Sequence, residues 1–347
     1  MKQEITISGK NLSIGYVHPK RKGDQKLYHN LSFELLKGEL VCLLGANGSG
    51  KSTLLRTLGK MQPALDGCIS ILNKDLNKYQ HKELAQLVGV VLTDKSASGG
   101  FTVREVVELG RYPYTGFFGQ LDDQDRMVID QALKDVGIAH KADNFLADLS
   151  DGERQKVMIA KVLSQECPII LLDEPTAFLD IESRIEIMSL LHDLAHQKDK
   201  TILLSTHDID LAFLLSDRLW LLSKEVGLIN GVPEDIILSG TIDNFFSNDK
   251  IAFNKYSGSF HPIRSSERKI YVDAQEEFLF WTINLLLRLN LDFTTNKEEA
   301  IFTIEVKDQS TIRIIEDKDQ KLFSSFGNLA SYLRSYSIDS SAFSSHI

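Results

Sequence analysis

The chain has 347 residues, 43% of them hydrophobic and 25% charged, a balance that suits a soluble protein with one large domain and one small one. A formal net charge of -9 gives no electrostatic reason to bind nucleic acid. No apolar run reaches the roughly 18 residues that span a bilayer, and Met1-Lys2-Gln3-Glu4-Ile5-Thr6 lacks the apolar core of a secretory leader. Cys42, Cys68 and Cys167 are too few and too scattered for a disulfide framework or a metal knuckle. Cys42 and Cys167 sit at the starts of expected core strands as inert buried thiols, and the expected compartment is the cytoplasm.

From Glu4 to about Pro262 short apolar strands alternate with helical segments, the pattern of an α/β core. The basic run His18-Pro19-Lys20-Arg21-Lys22 lies between two strands, with Gly23 and Asp24 following, and reads as a solvated loop. Val41-Cys42-Leu43-Leu44, Ile169-Ile170-Leu171-Leu172 and Thr201-Ile202-Leu203-Leu204-Ser205 are continuous apolar runs, as in strands buried on both faces. Between the first two, residues from about Asp94 to Glu166 read as an inserted helical subdomain, with helical spacing over Glu105–Leu109 and Met127–Val136. Ser257-Gly258-Ser259, followed by Phe260-His261-Pro262, reads as a linker, which places the domains at 1–263 and 264–347. Beyond it the expected order is a strand over Lys269–Asp273, a helix over Gln275–Asn290, strands over Ile301–Lys307 and Thr311–Ile315, and a helix over Leu322–Tyr336. Phe278-Leu279-Phe280-Trp281-Thr282-Ile283-Asn284-Leu285-Leu286-Leu287 is apolar nearly all round, which predicts burial on more than one side.

Gly45-Ala46-Asn47-Gly48-Ser49-Gly50-Lys51-Ser52 fits the phosphate-loop pattern at every position, after a strand and before a helix. Its glycines let successive N–H groups turn inward onto phosphate oxygens, and the helix N-terminus adds a favourable dipole. Lys51 would reach the β- and γ-phosphates, Ser52 would ligate Mg²⁺, and Thr53 follows within the same nucleotide cradle. Asp173 and Glu174 end a buried strand, where carboxylates are costly unless paired or bound to metal. Asp173 fits the Mg²⁺-associated acid, and Glu174, one residue on, could polarise the attacking water as general base. Leu149-Ser150-Asp151-Gly152-Glu153 taken alone is a serine helix cap with acids in its first turn.

Taken in order, these segments resemble an ATP-binding cassette ATPase: an α/β phosphate-loop fold with an inserted helical subdomain, here followed by a small C-terminal α+β domain. The five residues from Leu149 resemble that family's signature, with Asp151 where glycine is usual. The resemblance implies that Ser150 and Gly152 contact the γ-phosphate held by a partner's phosphate loop, so that a homodimer encloses two ATP molecules. Tyr16 resembles the adenine-stacking aromatic, Asp180 in Ala177-Phe178-Leu179-Asp180 the acid of the loop between the two sites, and His207 the γ-phosphate switch. At the glutamine that normally senses Mg²⁺ and water the chain departs: Thr93, in Val90-Val91-Leu92-Thr93-Asp94, is too short for that reach unless water or Asp94 fills the gap.

Phe101-Thr102-Val103-Arg104-Glu105-Val106-Val107-Glu108-Leu109-Gly110-Arg111-Tyr112-Pro113-Tyr114 and Gly231-Val232-Pro233-Glu234-Asp235 are similar to the ATPases of iron-siderophore, haem and cobalamin importers. That similarity implies ATP and Mg²⁺ as cofactors and an integral membrane permease as direct partner, with a substrate-binding protein met only indirectly and no nucleic acid. It implies a peripheral location on the cytoplasmic membrane face and a coupling groove formed in part by the first of these segments. The C-terminal part reads either as an appendage packed on its own sheet or, as in other importer ATPases, as a regulatory or dimer-stabilising domain. The rival reading, a soluble cassette ATPase of nucleic-acid repair or translation, calls for coiled-coil arms, a second cassette or a basic surface, and the sequence displays none of these.

Overall fold

A computed structural model describes residues 4–16, 25–92, 100–116, 119–247, 250–255, 258–263, 269–316 and 319–338. Thr93, Asp94 and the basic run His18–Lys22 lie outside these residues. The chain divides into two compact units, Met1–Phe245 and Phe246–Ile347.

The first unit begins with β1 (Ile5–Tyr16), β2 (Gln25–Leu36) and β3 (Leu40–Leu44), then helix α1 (Lys51–Leu58). There follow β4 (Asp66–Ile71), β5 (Lys74–Asp75), α2 (His81–Ala85) and β6 (Val88–Val91), and then three helices, α3 (Val103–Glu108), α4 (Asp123–Asp135) and α5 (Asp151–Ser164). The chain returns through β7 (Ile169–Asp173), α6 (Ile181–Lys198), β8 (Thr201–Ser205), α7 (Ile209–Leu215), β9 (Arg218–Ser223), β10 (Gly227–Gly231), α8 (Pro233–Leu238) and α9 (Thr241–Phe246).

Two sheets result. One is antiparallel, in the order β2-β1-β4-β5. The other runs β10-β9-β3-β8-β7-β6 and is parallel from β9 to β6, with β10 antiparallel at one edge. Every residue of β3, β7 and β8 is buried, as their unbroken apolar runs require. The two sheets close on one core, in which Leu12, Ile14 and Phe33 of the antiparallel sheet share a cluster with Val41, Leu171, Leu203 and Trp220 of the parallel one. Cys42 and Cys167 are buried, and burial pushes their thiols up to about 12 and about 11, so neither is a thiolate at neutral pH.

The helical insertion is held by a buried cation that its sequence does not advertise. Arg111 bonds Asp125 Oδ1 at 2.7 Å, Glu166 Oε2 at 2.6 Å and the Ser164 carbonyl at 2.7 Å, and its guanidinium lies 4.0 Å from the centre of the Tyr114 ring. Pairing with two carboxylates and a carbonyl compensates the desolvation of the guanidinium, so one side chain ties the segment after α3 to α4 and to the end of α5.

The second unit opens with a hairpin, β11 (Ile251–Asn254) with β12 (Ser259–Pro262), whose Phe253 and Phe260 rings lie 5.0 Å apart. This corrects the linker reading: Ser259–Pro262 is a strand, Gly258 before it takes φ 65, and an aromatic pair holds the two strands together. The rest is β13 (Lys269–Ala274), α10 (Glu276–Arg288), β14 (Asp292–Thr294), β15 (Phe302–Asp308), β16 (Thr311–Glu316), β17 (Asp319–Phe323) and α11 (Phe326–Ile338), with the five strands in the order β14-β13-β15-β16-β17. Ile270, Val272, Ile304, Val306, Ile312 and Ile314 alternate along three strands onto one face, where they meet Leu285 and Leu286 of α10 and Leu329 and Leu333 of α11.

Two further expectations fail in this unit. Leu322 lies in the exposed strand β17 and not in the last helix, which begins at Phe326 after a turn. Helix α10 buries one face only, through Thr282, Leu285 and Leu286, while Trp281 is 60% exposed; covering one sheet face needs one stripe of the helix, however apolar the remainder.

Candidate active site

Strand β3 ends beneath a loop whose glycines carry the turn: Gly48 has φ 74 and Gly50 φ 96, both left-handed, where a side chain is strained. Gly50 caps α1 without a side-chain hydrogen bond, and no acid stands in the first turn, so the helix's leading N–H groups and positive end face the loop interior. Lys51 is buried, with Nζ 2.9 Å from the Gly45 carbonyl, 3.5 Å from that of Ala46 and 3.2 Å from His207 Nε2. Burial lowers its pKa, and the charges of Glu174 and Asp173 pull it back up. The Ser49 hydroxyl is buried and has no hydrogen-bond partner, an orphan that a bound ligand would satisfy. From the other side the Tyr28 hydroxyl donates to the Ser49 carbonyl, and burial pushes that phenol up to about 12.

The two acids sit where β7 runs out. Ser205 at the end of β8 donates from Oγ to Asp173 Oδ1 at 2.7 Å and accepts the Glu174 N–H at 2.9 Å. Glu174 has φ 50, a left-handed conformation that costs a non-glycine residue roughly 1–2 kcal/mol. Two hydrogen bonds from its N–H to Ser205, to the carbonyl at 3.1 Å and to the hydroxyl, hold it there. The turn directs its carboxylate to His207, with Nε2 to Oε1 at 3.0 Å. One ring nitrogen thus faces an ammonium and a carboxylate, and it can accept from Lys51 or donate to Glu174, not both.

Of the residues singled out in the sequence, Lys51, Asp173, Glu174 and His207 therefore converge on one place. Tyr16 joins them indirectly: its ring is 47% exposed, and its hydroxyl lies 3.4 Å from Thr53 Oγ1 on α1. Ser150, Gly152 and Asp180 form a second group. Ser150 caps α5, accepting the Glu153 N–H at 3.3 Å while Glu153 Oε2 accepts the Ser150 N–H at 3.0 Å, a reciprocal capping box. Gly152 leaves no room for a side chain, since a Cβ there would stand 2.7 Å from Ser183 Oγ on α6. Asp180 caps α6 by accepting the Ser183 N–H at 2.8 Å, and this bond holds its carboxyl below the usual range. So the starts of α5 and α6 lie side by side.

A third set escaped sequence reading. Asp208 accepts Thr176 Oγ1 and Arg184 Nη1, both at 2.6 Å, and its N–H donates to Thr206 Oγ1 at 3.0 Å. Neither partner carries a motif. The one available signal is the position of Asp208 directly after His207.

This arrangement defines a phosphate-loop nucleoside triphosphatase: a glycine turn, a buried lysine and a strand-end acid pair on a parallel sheet. The family model described as "ABC transporter" matches residues 28–177. The chain is 33% identical to the iron(3+)-hydroxamate import ATP-binding protein of Bacillus subtilis, over 70% of this chain and 88% of that protein. It is likewise 33% identical to the ferric enterobactin transport ATP-binding protein of Escherichia coli, over 69% and 86%. Among solved structures, one assigned as a metal-chelate type ABC transporter in an inward-facing conformation matches with a TM-score of 0.61 at 29% identity, covering 75% of this chain and 98% of that one. A dimeric bacterial ABC transporter cassette matches with a TM-score of 0.57 at 29% identity, over 65% and 98%. The chain belongs to the ABC transporter ATP-binding family, and it is an ATPase coupled to membrane transport. Subunits of this class bind ATP, dimerise and work with a membrane permease. No helix among the described residues is long and apolar enough to cross a membrane itself.

Proposed function

We propose that two copies of this chain close head to tail around two ATP molecules, each lying between Lys51 of one copy and Ser150 and Gly152 of the other, and that this motion drives import of a metal chelate of the siderophore, haem or cobalamin class. The observation that carries the reading is the contact of His207 Nε2 with both Lys51 Nζ (3.2 Å) and Glu174 Oε1 (3.0 Å). A γ-phosphate arriving at Lys51 takes over the ammonium, which frees the imidazole to hold Glu174. Glu174 then acts as general base toward water, and His207 keeps that carboxylate aimed. Tyr16 stacks on the base, and Gly45, Asn47, Gly48, Ser49, Gly50 and Thr53 surround the phosphates. Asp180 stands at the loop between the two sites.

Ser52 and Asp173 suit a hard cation, and the helix end and the orphaned Ser49 hydroxyl suit its phosphate partner. Ser52 and Asp173, together with the substrate's own oxygens, would hold Mg²⁺. When bound it supplies charge neutralisation at the β- and γ-phosphates.

Closure is favoured only by contacts that the open state lacks. Moving a population from 1:99 to 99:1 needs about 5.5 kcal/mol of differential binding, a demand that two bridged γ-phosphates can meet. Hydrolysis removes the bridge and reopens the dimer. Phe101, Leu109 and Tyr112, exposed by 48%, 51% and 79%, supply the apolar surface on which a permease segment docks. Chelates are the cargo of the relatives in their printed names, and the cargo assignment rests on that kinship.

Glu174→Gln tests the chemistry. It is expected to bind ATP with near-normal affinity and to lose turnover by about 10²- to 10⁴-fold, read by phosphate release. Near-normal turnover sinks the general-base role.

A further inference from the structure

Glu174, Thr176, Asp208 and His207 form a closed ring at the ends of β7 and β8. Glu174 and His207 meet at 3.0 Å, and Thr176 and Asp208 meet at 2.6 Å two residues beyond one and one residue beyond the other. Thr206 closes the interior, its hydroxyl accepting the Asp208 N–H at 3.0 Å and lying 3.4 Å from that of Thr176. Besides the contact of Lys51 with His207, a charged tether joins the ring to another element through Arg184 on the first turn of α6, with Nη1 2.6 Å from Asp208 Oδ1. The pair is mostly shielded, with side chains 33% and 18% exposed, so it is stiffer and less screened than a surface pair. Arg184 is fixed at its backbone as well, since its N–H donates to the carbonyl of Asp180, the cap of α6. The opposite end of the chain of contacts is His207, the residue after Thr206 and before Asp208.

We propose that Arg184 and Asp208 are positioning residues for ATP hydrolysis, transmitting the orientation of the α6 N-terminus to the imidazole of His207 and so to its contact with Glu174. The inference rests on the assignment of His207 and Glu174 to hydrolysis. Its physical basis is that Asp208 and His207 are adjacent, so a carboxylate pinned from two sides fixes the backbone that aims the ring. Without Arg184, Asp208 keeps Thr176 and the Thr206 hydroxyl but loses the link to α6, and the imidazole gains a freedom that costs rate and not substrate binding.

A double-mutant cycle tests this by steady-state ATPase kinetics on the full chain. Arg184→Met is expected to lower kcat by about 10- to 100-fold with the KM for ATP within about twofold, and Arg184→Lys, which restores the cation without the fork, recovers part of that loss. In a His207→Ala background Arg184→Met is expected to change kcat by less than about twofold, because the ring through which it acts is gone. Asp208→Asn, which preserves shape, repeats the measurement if Arg184→Met does not fold. Equal losses of kcat in both backgrounds overturn the proposal, as does a raised KM with unchanged kcat. If His207→Ala alone leaves kcat at the wild-type value, the underlying site assignment falls, and that outcome is distinct from a failed cycle.

Discussion

The two units of the chain handle buried polarity in opposite ways. In the first, Lys51, Asp173, Thr176, Ser205 and Thr206 are buried near the ends of neighbouring parallel strands. In the second, the buried polar residues among those described are Thr282 and Thr303, and the core is otherwise aliphatic and aromatic. Burying an ammonium or a carboxylate is costly without partners, so Lys51 and Asp173 are embedded in compensating contacts, while the second core has no buried charge of that kind to compensate. The lesson is that both units are held by the same apolar packing, and only one departs from it at a cluster of residues that also matches a chemical motif.

The largest stability effect we expect comes from the plainer unit. Leu286→Ala empties a fully buried position at the centre of the second core and should remove about 2–5 kcal/mol. Calorimetry is expected to show the loss of a C-terminal unfolding transition, with ATP turnover within about twofold of wild type. A collapse of turnover would break the contrast and place the second unit in the catalytic cycle, as a regulatory domain requires. Ser150→Ala is the intermediate case. Removing the cap of α5 should cost about 1 kcal/mol, a small change in melting. If Ser150 meets the partner's γ-phosphate, turnover falls much more than that stability loss explains; parallel small losses in both measurements would reduce Ser150 to a cap.

The smallest effect is a pH dependence away from the site. His196 on α6 has its pKa raised by the His192 carbonyl at Nδ1 and by the charge and hydrogen bond of Asp217, 3.0 Å from Nε2, against an opposing effect of burial. A raised pKa means stability that is fully present below the unfolded value of about 6.5 and is lost as pH rises through the folded value. The ring is partly exposed, so the contribution is screened to about 0.2–1 kcal/mol. Denaturant midpoints should fall across that window in the wild type, and His196→Gln should flatten the change. An unaltered slope contradicts the assignment.

Much of this was legible in the sequence, and the reasons differ by element. Unbroken apolar runs marked β3, β7 and β8 because strands buried on both faces leave no alternation to blur. The phosphate loop was legible because backbone geometry and charge dictate residue types at fixed spacing. The strand Asp319–Phe323 was not, since an edge strand with nearly every residue exposed carries no apolar periodicity. Gly258 in a hairpin turn and a glycine in a linker look alike in one dimension. Arg111 and Arg184 escaped for a related reason: their partners Asp125, Glu166 and Asp208 lie 14, 55 and 24 residues away, and no local pattern records such a pairing.

Sedimentation or light-scattering mass of Glu174→Gln, with and without Mg-ATP, tests the central claim most directly. The mutant retains Lys51 and both phosphate-facing segments but cannot cleave the bridge at a normal rate, so Mg-ATP should convert it to a species of twice the monomer mass that ADP does not support. A mass that stays monomeric at saturating Mg-ATP would contradict closure of two copies around the nucleotide.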